Sequence, residues 1–257
     1  MKIISVGIFT QLRSSEKYLS ILNTWGSEFD KINIVCGYDD SIKKYLFNEV
    51  VLDVDDSYNG LMEKQMRALE FMFHNDPAKW YFVCGDDTFL YKEISEEMLS
   101  KFDSQQELYV GGHCGTLKNL LKEEYREEVK HDYYPSGGPG FFISHGLMKK
   151  IINDMTDIIE LWRKTCEIKT NQNYLFASDA GFGYAMSQMY DIPITTLCEI
   201  YTGCTLTDGF YNFMADRYPH TNTLFTSVLI DKPISYHYVT IQDMYRLFEN
   251  KKNGIYR

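Results

Sequence analysis

Strand-like and helix-like segments take turns along the first third of the chain, and that alternation limits the fold more than any other feature. Lys2 to Phe9 reads as a buried opening strand. Ser14 or Ser15 caps a helix carrying Tyr18, Ile21, Leu22 and Trp25 at i, i+3, i+4, i+7 spacing. INIVC (32–36) and VVL (50–52) read as the second and third strands. A helix is expected from about Ser57 to Phe73, with Met62, Met66, Leu69 and Phe73 on one stripe. WYFVC (80–84) is the fourth strand. Such a series packs as a mostly parallel sheet with helices on both faces, an α/β architecture. In open sheets of this kind, ligands bind at the carboxyl ends of the strands.

The remaining two thirds are less regular. ELYVGG (107–112) and Phe141 to Ser144 read as short strands, and KNLLKEEYREEVKHD (118–132) as a solvated loop or helix face. A helix is expected from about Gly146 to Trp162, with Leu147, Ile151, Ile152, Met155, Ile158 and Ile159 inward. ISYHYV (234–239) reads as a late strand, and a last helix carries Ile241, Met244, Tyr245 and Phe248 at helical spacing. There is no repeat and no Pro/Gly/Ser-rich linker, so the expectation is one domain over 1–257.

Composition removes some function classes. The chain carries 26 basic and 36 acidic residues, net −10, which disfavours a nucleic-acid partner held by phosphate contacts, since that needs a basic face. A nucleotide stays compatible, because a metal ion can supply local positive charge. None of the six cysteines forms a CxxC pair, which argues against a structural zinc site. Cys36 and Cys84 sit in strand runs as small core residues, while Cys198 and Cys204 are close enough in sequence to pair in an oxidising compartment. No apolar stretch reaches 18 residues, and MKIISVGIFTQLRSS is no signal peptide. The expected location is cytoplasmic, unless an N-terminal anchor has been removed.

The chemistry concentrates in four segments. WYFVCGDDTFL (80–90) drives Asp86 and Asp87 to the end of an apolar strand, with Thr88, Phe89 and Leu90 returning at once to apolar character. Burying an ionised carboxylate is costly unless a cation meets it. On this stretch alone a metal site and a two-aspartate turn weigh equally. Asp39-Asp40 and Asp53-x-Asp55-Asp56 also follow strands, but polar flanks make them solvated turns. SGGPGFF (136–142) is a Gly/Pro turn into a strand, in which glycines admit close approach of another group. In SDAGFGY (178–184), Asp179 reads by default as a helix N-cap, or as a general base if one carboxylate oxygen stays free. His237 stands alone inside its apolar strand, as a core histidine or as a metal ligand.

Taken in order, these segments resemble the fringe-like and β1,3-galactosyltransferase-like glycosyltransferases, inverting enzymes of the GT-A fold, with the core-1 β1,3-galactosyltransferases nearest in flavour. The matching features are Asn23-Thr24-Trp25 closing the first helix, and Lys64 in the helix before the metal motif. They continue with Trp80 leading into Asp86-Asp87-Thr88, the turn Gly137 to Phe141 followed by Ser144, and Ser178-Asp179 before Gly183. The last is Ser235 to Val239 ahead of Met244 and Tyr245. Two positions depart from the family pattern: Gly85 replaces the first aspartate of a triple-Asp motif, and Ser178 replaces the first member of an acidic pair. The family's membrane anchor has no counterpart here, which suggests a microbial or viral cytosolic form.

The resemblance implies metal-dependent transfer of a hexose (galactose, glucose or GlcNAc) from a UDP-sugar to a hydroxyl of a glycan, glycoprotein or glycolipid, with a β1,3-type linkage. It implies Mn²⁺ or Mg²⁺ held by Asp87 and His237, with Mn²⁺ the better match to mixed oxygen and imidazole ligands. Asp179 becomes the catalytic base. Thr10, Arg13, Lys64, Asp86, Gly137 and Gly138 become donor-binding residues, with sugar rings lying against the two glycines. Acceptor contacts are expected in 113–135 and 199–225, where His113, Tyr133, Tyr134 and Tyr211 are candidates together with Trp162. Three alternatives stay open: a non-catalytic UDP-sugar-binding protein of the same fold, a retaining transferase, and a metal-dependent phosphohydrolase using Asp86, Asp87 and His237.

Overall fold

A computed structural model describes residues 1–11, 15–38, 49–112, 114–197, 200–201 and 232–256. Ser14, Arg13, Asp39, Asp40, His113, Cys198, Cys204 and Tyr211 lie outside the described residues.

The expected alternation is present. It runs β1 (Lys2–Phe9), α1 (Ser15–Leu22), β2 (Ile32–Tyr38), β3 (Glu49–Asp55), α2 (Leu61–Asn75) and β4 (Ala78–Gly85). Then follow β5 (Phe89–Leu90), α3 (Lys92–Leu99), β6 (Tyr109–Gly111), β7 (Cys114–Thr116), β8 (Tyr133–Pro135) and β9 (Phe141–Ser144). The chain continues through α4 (His145–Ile151), α5 (Met155–Ile168), α6 (Ser178–Ala185), β10 (Ile194–Thr196), β11 (Ile200–Tyr201), β12 (Ser235–Tyr236) and α7 (Ile241–Lys252).

Seven strands form the main sheet in the order β10-β6-β9-β4-β1-β2-β3. β3, β2, β1 and β4 run parallel, and β9 is antiparallel to both β4 and β6. The strand order reverses between β1 and β4. A crevice for ligands opens at that point in a parallel sheet, beyond the carboxyl ends of the strands.

Alternation along β4 explains the two-sided core. Tyr81 and Val83 face a cluster built on α2, α4, α5 and α6, while Trp80, Phe82 and Cys84 face one built on α1, α3 and α7. A strand buried on both faces reads as a continuous apolar run, which is what residues 80–84 show.

Several local readings need correction. Trp25 belongs to a 3₁₀ turn (Trp25–Glu28) beyond α1, because Asn23 and Thr24 close the helix by bonding back to Leu19 and Ile21. The helix expected over 146–162 is broken at Ile152–Asp154, so α4 and α5 are separate. The charged run 118–132 is not wholly solvated: Leu121, between two short 3₁₀ turns, and Val129, just after the second, are buried. The strand expected over 234–239 is only two residues long, and His237 lies just past it. On α7 the buried residues are Met244 and Leu247, whereas Ile241 and Tyr245 are exposed. No helix among the described residues is long and apolar enough to cross a membrane.

Candidate functional site

The ends of β1 and β4, the turn 136–140, the start of α6 and the segment after β12 meet at the crevice, and backbone bonding explains why. Thr88 Oγ1 donates to the Gly138 carbonyl at 2.6 Å, and the Gly85 N–H donates to the same oxygen at 3.3 Å. Ser235 Oγ, fully buried, donates to the Pro139 carbonyl at 2.7 Å. The Val239 N–H donates to the Asp87 carbonyl at 2.9 Å. From beneath, the buried Trp25 indole Nε1 donates to the Thr88 carbonyl at 2.9 Å. Trp25 therefore pins the turn that carries Asp86 and Asp87.

Those two carboxylates face different partners. Asp86 Oδ2 accepts from Thr10 Oγ1 at 2.7 Å, across the β1–β4 boundary. Asp86 Oδ1 accepts from Lys17 Nζ on α1 at 3.2 Å. Asp87 Oδ1 lies 3.2 Å from His237 Nε2, and both side chains are largely buried. Burial pushes the Asp87 carboxyl up, but the His237 imidazole and the Lys17 charge outweigh it and hold the carboxyl below its ordinary range. Directly beneath, burial and the two carboxylates push the Cys84 thiol well up, which makes it an inert core group.

Asp179 sits across the Gly turn. It is the second residue of α6, whose cap position is Ala177, so the N-cap reading is corrected. Its Oδ2 accepts from the Gly137 N–H at 2.8 Å and its Oδ1 from the Ala180 N–H at 2.8 Å. Each carboxylate oxygen has two acceptor sites, so capacity remains for a substrate hydroxyl. Burial raises its carboxyl above the usual range, against the pull of the two N–H groups.

The two glycines face protein groups. A Cβ on Gly138 would lie 2.0 Å from His237 Cε1, and one on Gly137 would lie 3.2 Å from Asp179 Cβ. The expected bed for sugar rings is thus taken, at Gly138, by the imidazole. Gly140, at φ 88°, needs the left-handed turn itself, and its missing side chain leaves room for the Phe82 ring.

Lys64 is 2% exposed and its Nζ lies 2.7 Å from Asp56 Oδ1. It also donates to the Thr10 carbonyl at 3.1 Å, and Asp56 Oδ1 accepts the Gly37 N–H at 2.7 Å. The pair therefore joins the ends of β1, β2 and β3. The solvated-turn reading of 53–56 is overturned at Asp56, which is buried. Of the acceptor candidates, Trp162 is buried and donates to the Tyr174 carbonyl, Tyr134 packs over Gly183, and Tyr133 is exposed.

Sequence reading brought together Thr10, Asp86, Asp87, Gly138, Asp179 and His237. It missed Lys17, Asp56 and the role of Trp25. Lys17 had the available signal of a cation in the first turn after β1; Asp56 was hidden by the polar flanks of its segment, and Trp25 had no signal, because its partner Thr88 is distant in sequence.

This mostly parallel sheet, with β9 antiparallel and an acidic turn at the end of β4, has the GT-A fold of its glycosyltransferase neighbours among solved structures. A family model described as Fringe-like matches residues 7–203, and the chain belongs to that family. Among curated proteins it is 26% identical over 110 residues to hydroxyproline O-galactosyltransferase GALT6 of Arabidopsis thaliana, covering 41% of this chain and 16% of that protein. It is 23% identical over 155 residues to the β-1,3-N-acetylglucosaminyltransferase lunatic fringe of Gallus gallus, covering 56% of this chain and 43% of that one. The human lunatic fringe is 19% identical over 261 residues, 97% of this chain and 61% of the relative. The chain thus spans less than two thirds of each relative. Among solved structures, galactosyltransferase LgtC with donor and acceptor sugar analogues superposes at TM-score 0.55, 10% identity, over 97% of this chain and 96% of that one. Apo glycosyltransferase GlyE of Streptococcus pneumoniae does so at TM-score 0.51, 11% identity, over 93% and 55%.

Proposed function

We propose that this protein is an inverting glycosyltransferase, moving a hexose from a UDP-sugar to an acceptor hydroxyl with a β1,3-type linkage. The observation that carries the reading is the Asp87–His237 apposition, 3.2 Å between Oδ1 and Nε2, at the sheet's ligand-binding edge. Two ligands at right angles, each about 2.1 Å from an octahedral ion, stand about 3.0 Å apart, so carboxylate and imidazole fit a shared Mn²⁺ or Mg²⁺. Such ions commonly take one or two protein ligands and fill the rest with phosphate oxygens and water. When bound, the ion would neutralise charge developing on the leaving diphosphate.

The chain's own residues supply the rest. Asp179, held by the Gly137 and Ala180 N–H groups, would take the proton from the attacking acceptor hydroxyl. Burial, by raising its carboxyl, makes it a stronger base than a free aspartate. Asp86, oriented by Thr10 and Lys17, would accept hydrogen bonds from ribose or sugar hydroxyls. Lys17, half exposed beside Asp86, would add positive charge where the donor diphosphate comes in.

A non-catalytic UDP-sugar-binding protein is the second reading. It is favoured by the fact that both Asp179 oxygens already accept a backbone N–H. Calorimetric titration of UDP with and without Mn²⁺, on wild type and Asp87→Ala, tests the core of both readings. Metal-dependent binding lost in the variant supports the site; no UDP binding under either condition overturns it. Turnover of UDP-sugars then separates enzyme from binder, and the anomeric configuration of the product by NMR separates inversion from retention.

A further inference from the structure

We infer that Tyr238 is a positioning residue that holds the His237 imidazole in the orientation a metal ion requires. This rests on the metal reading above. Ser235 pairs with Leu90 and Tyr236 with Phe89 across the antiparallel β12–β5 ladder. Continued without change, that register would set Tyr238 opposite Asp87. Instead the Val239 N–H bonds to the Asp87 carbonyl at 2.9 Å, so this strand accommodates one extra residue, as at a β-bulge.

The backbone turns at Tyr238, with φ at 59°. A bulky aromatic residue is disfavoured in the left-handed region, and glycine or asparagine would make the same turn at less cost. Local strain of this kind clusters where surrounding structure and function demand it. What tyrosine adds is its ring. It packs, tilted, against the His237 imidazole with centroids 3.7 Å apart and planes 31° apart. The imidazole is bounded as well by Gly138, where a Cβ would come within 2.0 Å.

The other imidazole nitrogen completes the case. A metal-ligating histidine is ordinarily oriented by a hydrogen bond at the nitrogen that does not face the metal. Here His237 Nδ1 is buried and has no hydrogen-bond partner among the described residues. Orientation therefore falls to packing, with the Gly138 backbone and the Tyr238 ring as its two walls. The left-handed turn at Tyr238 lets the His237 side chain and the Val239 N–H both reach Asp87.

The test is Mn²⁺ titration in the presence of UDP, read from the free-ion EPR signal, together with thermal unfolding. The proteins are wild type and Tyr238→Phe, →Ala and →Gly, with Asp87→Ala as reference. Tyr238→Phe should bind Mn²⁺ like wild type, because the ring is kept. Tyr238→Ala and Tyr238→Gly should both lose roughly tenfold or more in Mn²⁺ affinity. The Gly variant should unfold at a higher temperature than the Ala variant, because its backbone suits the turn. Metal affinity would then follow the ring and not stability. A Gly variant that binds Mn²⁺ like wild type overturns this inference and leaves the glycosyltransferase reading intact. A wild type without Asp87-dependent Mn²⁺ binding overturns both.

Discussion

Lys64 Nζ lies 2.7 Å from Asp56 Oδ1 in the buried floor beneath Thr10, where the ends of three parallel strands are joined. Removing one partner of such a pair strands the other as a buried charge, which typically costs about 3–5 kcal/mol. Lys64→Met should therefore unfold at a much lower urea concentration than wild type. Lys64→Met with Asp56→Leu should recover a large part of the loss, because no charge is then left unpaired. Urea unfolding of the single and double variants measures the coupling. A near-neutral single variant would show that the pair does not carry the floor.

Gly138 is committed to His237. Gly138→Ala would put its Cβ 2.0 Å from Cε1 of the His237 ring, so the imidazole would have to leave its place beside Asp87. Overpacking of this sort costs about 1–3 kcal/mol. The expected outcome is a moderate drop in melting temperature with a disproportionate loss of Mn²⁺-dependent UDP binding, measured by calorimetry.

If Asp179 is the general base proposed above, it would give the transfer reaction an acid limb. A general base must be ionised, and burial raises this carboxyl above its ordinary value. Initial rates should fall as pH drops through a value above the ~3.9 of a free aspartate. Asp179→Asn should lower kcat by about 10²–10⁴-fold and leave Mn²⁺-dependent UDP binding in place. A pH–rate profile alongside UDP titration checks both halves.

Asp76 makes a pH-dependent contribution to stability far from the crevice. Burial pushes its carboxyl up, but hydrogen bonds from Lys2, Ser5 and Asn33 and the Lys2 charge prevail, so it ends below its ordinary value. A folded value below the unfolded one stabilises above the unfolded value of about 3.9, and that gain disappears as pH falls through the folded value. Asp76→Ala should cost about 1–3 kcal/mol at pH 6. The gap to wild type should narrow progressively below about pH 4. Chemical unfolding at a series of pH values checks it.

Much of the site was legible because its residues interrupt strong patterns. Asp86 and Asp87 stand at the end of an apolar run, and the glycines of 137–140 stand ahead of another. Asp56 follows β3 with polar neighbours, so nothing local separated it from a solvated turn, and Lys17 offered only its place in the first turn after β1. Asp56 is buried because α2 brings Lys64 over it, and Lys17 matters because α1 hangs over the end of β4. Tyr238 was read as one more strand residue, because a left-handed φ leaves no mark on an aromatic in the sequence.

By itself the sequence determined the alternation of β1 to β4 with their helices, and with it the parallel sheet and its ligand-binding edge. Period and apolarity act over a few residues, and side-chain burial follows from them directly. The family resemblance paired His237 with Asp87, but only the tertiary structure decided that the two touch directly, that Gly138 makes room for that imidazole, and that Trp25 braces Thr88 from below. Those contacts join residues brought together only when the sheet and its crossovers have assembled, so no local pattern could encode them.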